Sequence, residues 1–242
     1  MAGKISEYRI FFREFRRNFY STGAVSPSSG SLARALARYV PRPPAYRATS
    51  EGRKILEVGP GTGAVTRRIL AAMRPTDTLD LVELNDSFVE LLRRRLASDP
   101  RFQPAAERVR VLHQRVEEMP LDARYDVIVS GLPLNNFPVP VVEEILSTLQ
   151  RRLHPQGVLS YFEYVALRRI KAWMSRGGER ERLRGVGRVT GERQRLYEIH
   201  RDCILFNGPP ARVQHLRLGA AAPKIAANDD EQVGGLLEES AG

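Results

Sequence analysis

The stretch "ILEVGPGTGAVT" (residues 55–66) constrains the fold more than any other. An apolar run of strand character stops at Val58, glycines stand at 59, 61 and 63, and a helical period begins at Ala64. Glycine is needed where a chain turns sharply and a ligand must approach bare backbone beside the positive end of a helix. Short apolar runs keep alternating with helical segments downstream, which predicts strand-helix units around a parallel sheet. The candidate strands are "KILEVG", "TLDLVEL", "VRVLHQ", "YDVIVSG", "GVLSYFEYV", "RDCILFN" and "ARVQHLRL". Helices are predicted at Ala64 to Met73, Asp86 to Ala97 and Val139 to Leu153, with a weaker crossover before the third strand. Only "GPP" separates the last two strands, too short for a crossover, so they are predicted to form an antiparallel hairpin at one edge.

Three regions follow: an N-terminal helical arm with a Pro-rich linker (1–50), the α/β domain (51–218), and a tail (219–242) of Ala, Gly and acid expected to be disordered. The net charge of +10 attracts phosphate, whether on nucleic acid, an anionic membrane or a small substrate. Cys203 is the single cysteine, which excludes an internal disulfide framework and fits a reducing cytoplasm; its setting, "DCILF", predicts a buried thiol. No apolar run is long enough to span a bilayer.

Around the glycine loop, Glu57 precedes the first Gly and Glu83 ends the second strand, where its two oxygens suit a pair of ribose hydroxyls. On these residues alone a dinucleotide site or an ordinary tight turn stays open. The loop, Glu57 and Glu83 together resemble the class I methyltransferases, a Rossmann-like fold that binds S-adenosylmethionine, releases S-adenosylhomocysteine and needs no metal. The resemblance implies a seven-stranded, mostly parallel sheet with helices on both faces. It assigns Ser28, Ser29, Glu57, Gly59, Gly61, Gly63, Glu83, Leu84, Ser130 and Gly131 to the cofactor, with Glu57 near its methionine part. In that family the third strand usually ends in Gly-Asp, whose acid meets the adenine amine. Here Gln114 and Arg115 stand there, leaving Gln114 or the backbone of Arg115 and Val116.

The end of the fourth strand reports the methyl acceptor. The rRNA adenine dimethylases carry Asn-Leu-Pro-Tyr there; this chain has Gly131, Leu132, Pro133 and Leu134, so both base-recognition side chains are missing and nucleic acid is not the expected partner. "TGAVSPSSGSLARALA", "EVGPGTGAVT", "SGLPLNNFP" and "FNGPPARV" together resemble the bacterial phospholipid N-methyltransferases that convert phosphatidylethanolamine to phosphatidylcholine. That resemblance implies a phospholipid substrate, an anionic membrane surface and a cytoplasmic enzyme bound peripherally to the inner face of the cell membrane. The runner-up readings are an RNA methyltransferase and an inactive lipid-binding relative.

A lipid amine must lose a proton before it accepts a methyl group, and Glu163 in "SYFEYV" is the candidate acceptor for it. Tyr161 and Tyr164, with Phe19, Tyr20 or Phe137, are candidates for a cage around the methylated cation, or else core. Alternation places Tyr161 and Glu163 on one face of the strand and Tyr164 on the other. At helical spacing Phe11, Phe12, Phe15 and Phe19 share one side of the arm with Ile5 and Tyr8, while Arg9, Arg13, Arg16 and Arg17 lie on another. This pattern suits the headgroup layer of a membrane; packing onto the domain is the alternative. Arg168 and Arg169 either solvate a core-packed segment or meet lipid phosphate, and "RGGERERLRGVGRVTGERQR" (residues 176–195) reads as a loop, either mobile and membrane-facing or plainly solvated.

Overall fold

Runs of Val, Ile and Leu with apolar residues on both faces belong in the middle of a sheet covered on both sides. The computed structural model, which describes residues 30–42, 51–120, 124–164, 177–205 and 210–218, places them there. The strands are β1 (Lys54–Val58), β2 (Thr78–Glu83), β3 (Val109–His113), β4 (Tyr125–Ser130), β5 (Leu153–Tyr164), β6 (Glu198–Ile204) and β7 (Ala211–Leu216). They form one sheet in the order β3-β2-β1-β4-β5-β7-β6, parallel through β5, with β7 antiparallel to both neighbours. The order reverses between β1 and β4, so a crevice opens at their carboxyl ends.

The helices are α1 (Gly30–Leu36), α2 (Ala64–Ala72), α3 (Asp86–Ser98), α4 (Val139–Arg152) and α5 (Gly177–Tyr197). Leu32, Leu36 and Val40 join Ile55, Ile69, Leu79, Leu92 and Val213 in the core on one face. Leu56, Ile128, Leu146, Leu149, Tyr161 and Val186 make the core on the other. Residues 30–42, read from sequence as arm, thus pack into the domain. The remainder of the arm, with Phe11, Phe12, Phe15, Arg16, Phe19, Tyr20, Ser28 and Ser29, lies outside the described residues, as do Arg168, Arg169 and the tail.

Two expectations need correction. Most of the stretch read as a loop is α5, a helix of 21 residues. Its glycines include a packing notch: a Cβ on Gly185 would stand 2.6 Å from Val139 Cγ2, so glycine there lets α5 close on the start of α4. Cys203 is exposed, because β6 is an edge strand with a neighbour on one side only.

Polar groups lock the strand starts and the sheet edge. Arg53 and Asp77, both buried, pair at 2.6 Å where β1 and β2 begin, and Asp77 also accepts from the Arg53 and Arg74 backbone N–H groups. Desolvation pushes the Asp77 carboxyl up, yet these donors outweigh it and hold it at about 2. Near the other edge, the Ser160 hydroxyl donates to His215 Nδ1 at 2.8 Å, and His215 Nε2–H donates to Asp202 at 3.1 Å. Desolvation drives the His215 imidazole down to about 4, against the raising effect of Asp202, so it is neutral at physiological pH.

Replacing Arg53 by Met leaves a buried carboxylate with only the Arg74 side chain opposite it and is expected to destabilise the fold by about 3 kcal/mol, read from chemical denaturation. Adding Asp77→Leu should recover much of that loss. In the native chain the contribution of Asp77 is present above its unfolded pKa of 3.8 and is lost as pH falls toward about 2, so both variants should flatten the acid limb of the stability curve.

Candidate active site

The crevice is shaped by backbone rather than by large side chains. Gly59, Gly61 and Gly63 all adopt positive φ, of 70°, 55° and 78°. A Cβ on Gly131 would stand 2.6 Å from Gly59 O, and one on Gly59 would stand 2.7 Å from Leu132 Cδ2. The loops after β1 and β4 therefore touch, backbone on backbone. Gly131 N–H donates to Val58 O at 2.8 Å and Gly59 N–H to Val82 O at 2.9 Å, which extends the sheet's pairing into the loops.

Glu83 organises the next turn. Its Oε1 accepts from the backbone of Leu84 and Asn85, and its Oε2 accepts from Gly61 N–H at 3.1 Å. Sequence reading gave this carboxylate to a pair of ribose hydroxyls. The structure shows it first as a backbone clamp, with lone-pair capacity left over. Burial raises its pKa, while the three amides pull it down.

Four polar groups at this edge are buried with atoms that find no hydrogen-bond partner among the described residues: both oxygens of Glu57, Glu117 Oε1, the side-chain amide of Asn135, and Glu163 Oε1. They belong to β1, the turn after β3, the loop after β4, and the end of β5. Buried polar atoms are ordinarily paired, so a concentration of orphans along one edge marks where a ligand supplies the partners. Glu57 is 1% exposed, and burial, with Glu83 nearby, drives its carboxyl up to about 8 despite a lowering contribution from Thr66. A cation brought beside it would restore its charge.

Glu117 was missed from sequence because it lies beyond the two positions where the family acid is sought. It lines a cleft with Gly59, Glu83, Leu84, Arg115 and Val116. Its Oε2 stands 3.5 Å from Arg115 Nε, its Oε1 is free, and burial raises its pKa. An acceptor in that cleft, one turn after β3, suits an exocyclic amine and fills the role the missing Asp left open. Ser130 is fully buried behind the crevice, where its hydroxyl lies 3.4 Å from Leu132 N–H.

On the acceptor side, Tyr161 and Glu163 share the α5 face of β5, as alternation predicts. Gln194 of α5 donates to the Tyr161 hydroxyl at 2.9 Å and to Glu163 Oε2 at 3.3 Å. Sequence reading missed Gln194 because it took the surrounding helix for a loop. The aromatic cage is corrected. Tyr164 packs edge-on against Phe162 on the opposite face, and Phe137 is a core side chain, 1% exposed, so neither joins Tyr161 around a common cation.

Residues 55–157 match the family model described as a methyltransferase domain. The chain is 27% identical over 156 residues to an ornithine lipid N-methyltransferase of Singulisphaera acidiphila, covering 64% of this chain and 77% of that one. It is 33% identical over 120 residues to a ribosomal RNA small subunit methyltransferase A of Synechococcus, spanning 42% of that protein's length. In fold it is similar to the O-methyltransferase TomG of Streptomyces achromogenes (TM-score 0.55, 18% identity, 79% of this chain and 80% of that one). It is also similar to magnesium protoporphyrin IX methyltransferase of Synechocystis (TM-score 0.52, 10% identity, 77% of each chain). Residues 55–157 form a methyltransferase domain, the seven-stranded sheet has the Rossmann-like methyltransferase fold, and the cofactor of this fold is S-adenosylmethionine. The residues fit that group: an unpaired buried acid for its cationic end, a bare-backbone cradle, and a free acceptor for its adenine.

Because Glu57 is mostly protonated at pH 7, cofactor binding is expected to release close to one proton and to tighten as pH rises toward about 8, measurable by calorimetry in buffers of different ionisation enthalpy. Glu57→Gln should abolish that release and weaken binding at least about tenfold. It should also raise Tm at pH 8, since the stability tied to Glu57 is fully present below 4.5 and lost as pH climbs through about 8. Glu117→Ala is expected to weaken S-adenosylhomocysteine binding by about tenfold, with Glu117→Gln, which keeps an acceptor, recovering part of it.

Proposed function

We propose that this protein transfers methyl groups from S-adenosylmethionine to the amine of phosphatidylethanolamine and then to its mono- and dimethyl forms, giving phosphatidylcholine. The observation that carries this reading is the acceptor side. A buried carboxyl with an unpaired oxygen, Glu163, sits at the end of β5 beside Tyr161 and Gln194, while the loop after β4 has Gly131 and Leu134 at the positions where the base-modifying dimethylases carry Asn and Tyr. The named activity of the Singulisphaera relative, N-methylation of a lipid, supports the same acceptor chemistry.

The bound cofactor supplies an electrophilic methyl on sulfonium. The chain's own residues do the rest. Glu57 and the glycine cradle hold and orient the donor, Glu83 keeps the two loops in register, and Glu163 attracts the lipid ammonium and takes its proton. An amine with pKa near 10 is only about one part in a thousand neutral at pH 7, a handicap of about 4 kcal/mol, so a carboxylate placed to accept that proton matters. Gln194 holds Glu163 by one oxygen and leaves the other for the substrate; Asn135, with its amide unpaired nearby in sequence to the methyl-transfer loop, offers a donor to the headgroup. Among the described residues no helix is long and apolar enough to cross a membrane, in keeping with substrate taken from a membrane surface.

Purified protein with labelled S-adenosylmethionine is expected to label phosphatidylethanolamine vesicles and leave ribosomal RNA unlabelled; label in RNA, or only in ornithine lipid, overturns the assignment. Glu163→Gln should lower kcat by about 100-fold while the affinity for S-adenosylhomocysteine stays unchanged.

A further inference from the structure

A second feature lies away from the cofactor crevice. A groove of about 560 Å³ runs between α1, α2 and β6, lined by Arg34, Arg38, Arg42, Arg68 and Asp202 among others. Four guanidinium groups thus face a single carboxylate, and that carboxylate is already taken. Arg38 grips Asp202 with Nε, at 2.6 Å, and with Nη2, and His215 and His200 approach the same acid. Arg42 is braced over the Tyr39 ring at 5.3 Å, and Tyr39 in turn leans on His215.

Arg34, Arg42 and Arg68 have no carboxylate partner among the described residues. Arg68 Nε is buried without any hydrogen-bond partner, so its desolvation is already incurred and an arriving acceptor would relieve it. Guanidinium forks from two helical segments converging on one groove match the oxygens of a phosphate group. The remaining walls are Ser31, a further donor, and the small or aliphatic Ala35, Ala37, Ala71, Ala72, Pro41 and Ile204, with no aromatic side chain among the described lining residues on which a base could stack.

The groove's surroundings identify the source of that phosphate. Leu205, directly after β6, is 71% exposed, and Ile199 on the same edge strand is exposed as well. Because β6 and β5 are both antiparallel to β7, they run in the same direction, with Ile204 level with Tyr164 across the sheet. Leu205 therefore stands at the same edge of the sheet as Glu163 and the methyl-transfer crevice. Cations in a groove that reaches Ile204, next to the bare side chain of Leu205 at that edge of the sheet, are what a surface needs to rest in a headgroup layer.

We infer that the α1–α2–β6 groove binds the phosphodiester of an anionic membrane phospholipid through Arg34, Arg42 and Arg68, with Leu205 entering the interfacial layer beside it. Arg38 is a positioning residue, fixed by Asp202. The inference rests on the lipid reading of the active site, and it adds a second lipid contact that orients the crevice toward the bilayer.

The test uses the full chain and vesicles of phosphatidylcholine with or without phosphatidylglycerol. The triple variant Arg34→Gln/Arg42→Gln/Arg68→Gln is expected to lose about 100-fold in partitioning onto phosphatidylglycerol-containing vesicles, with S-adenosylhomocysteine affinity and Tm near those of the parent chain. Leu205→Ser should lower partitioning several-fold on both vesicle types. Unchanged partitioning of the triple variant overturns the inference, as does failure of the parent chain to bind these vesicles. A loss confined to inorganic phosphate binding, or confined to RNA binding, overturns the lipid assignment of the groove. Partitioning is read without turnover, so the two readings fail separately: phosphatidylethanolamine that never gains label defeats the acceptor assignment alone, whereas labelled lipid with an unaffected triple variant defeats the groove.

Discussion

The contact between the glycine loops after β1 and β4 is the constraint on which the remaining architecture depends. With Gly131 pressed on Gly59 and Glu83 holding Gly61, the edge of the sheet has almost no freedom to close over its own buried acids. Glu57 is buried beneath this loop, and neither of its oxygens has a hydrogen-bond partner at good geometry among the described residues. The cradle is thus rigid where it touches a ligand's outline and unsatisfied where it meets a ligand's charge. Such a cradle meets a cation with shape already in place and with an acid that is mostly uncharged until the cation is beside it.

The two sides of the crevice are built differently. On the donor side, recognition is by backbone and short loops, whose geometry is fixed by hydrogen bonds to the sheet. On the side proposed for the acceptor the polar groups are side chains, and these depend on α5, which carries Gln194. That helix is positioned by the notch at Gly185 against Val139, so the acceptor side is tied to the same helix pair that covers the second core. A shift of α5 would disturb Glu163 and Tyr161 together while leaving the donor cradle untouched.

Much of this was legible in the residues. All seven strands and the helices α2, α3 and α4 followed from period and punctuation, and the antiparallel edge followed from the shortness of "GPP". The donor site was legible because backbone recognition needs glycine, and glycine in such a loop is conspicuous. What escaped was what packing decides. Gly185 looks like a loop glycine until a neighbouring helix is placed against it. Cys203 looks buried until β6 is known to be an edge. Phe137 has the composition of a cage residue and the position of a core residue. Glu117 escaped for another reason: a single turn of 3-10 helix after β3 (Val116–Glu118) carries it into the cleft, and nothing in its immediate sequence announces that turn.

The chain Ser160–His215–Asp202 has the connectivity by which hydrolases are recognised, and here it means something else. All three groups lie on strands rather than on loops at a mouth, and the serine and histidine are sealed from solvent, so no acyl group can reach the hydroxyl. Sealed from solvent, the relay behaves as a strut, joining three strands by side-chain hydrogen bonds that add to the backbone pairing. Accessibility, not arrangement, is what separates a nucleophile from a rivet.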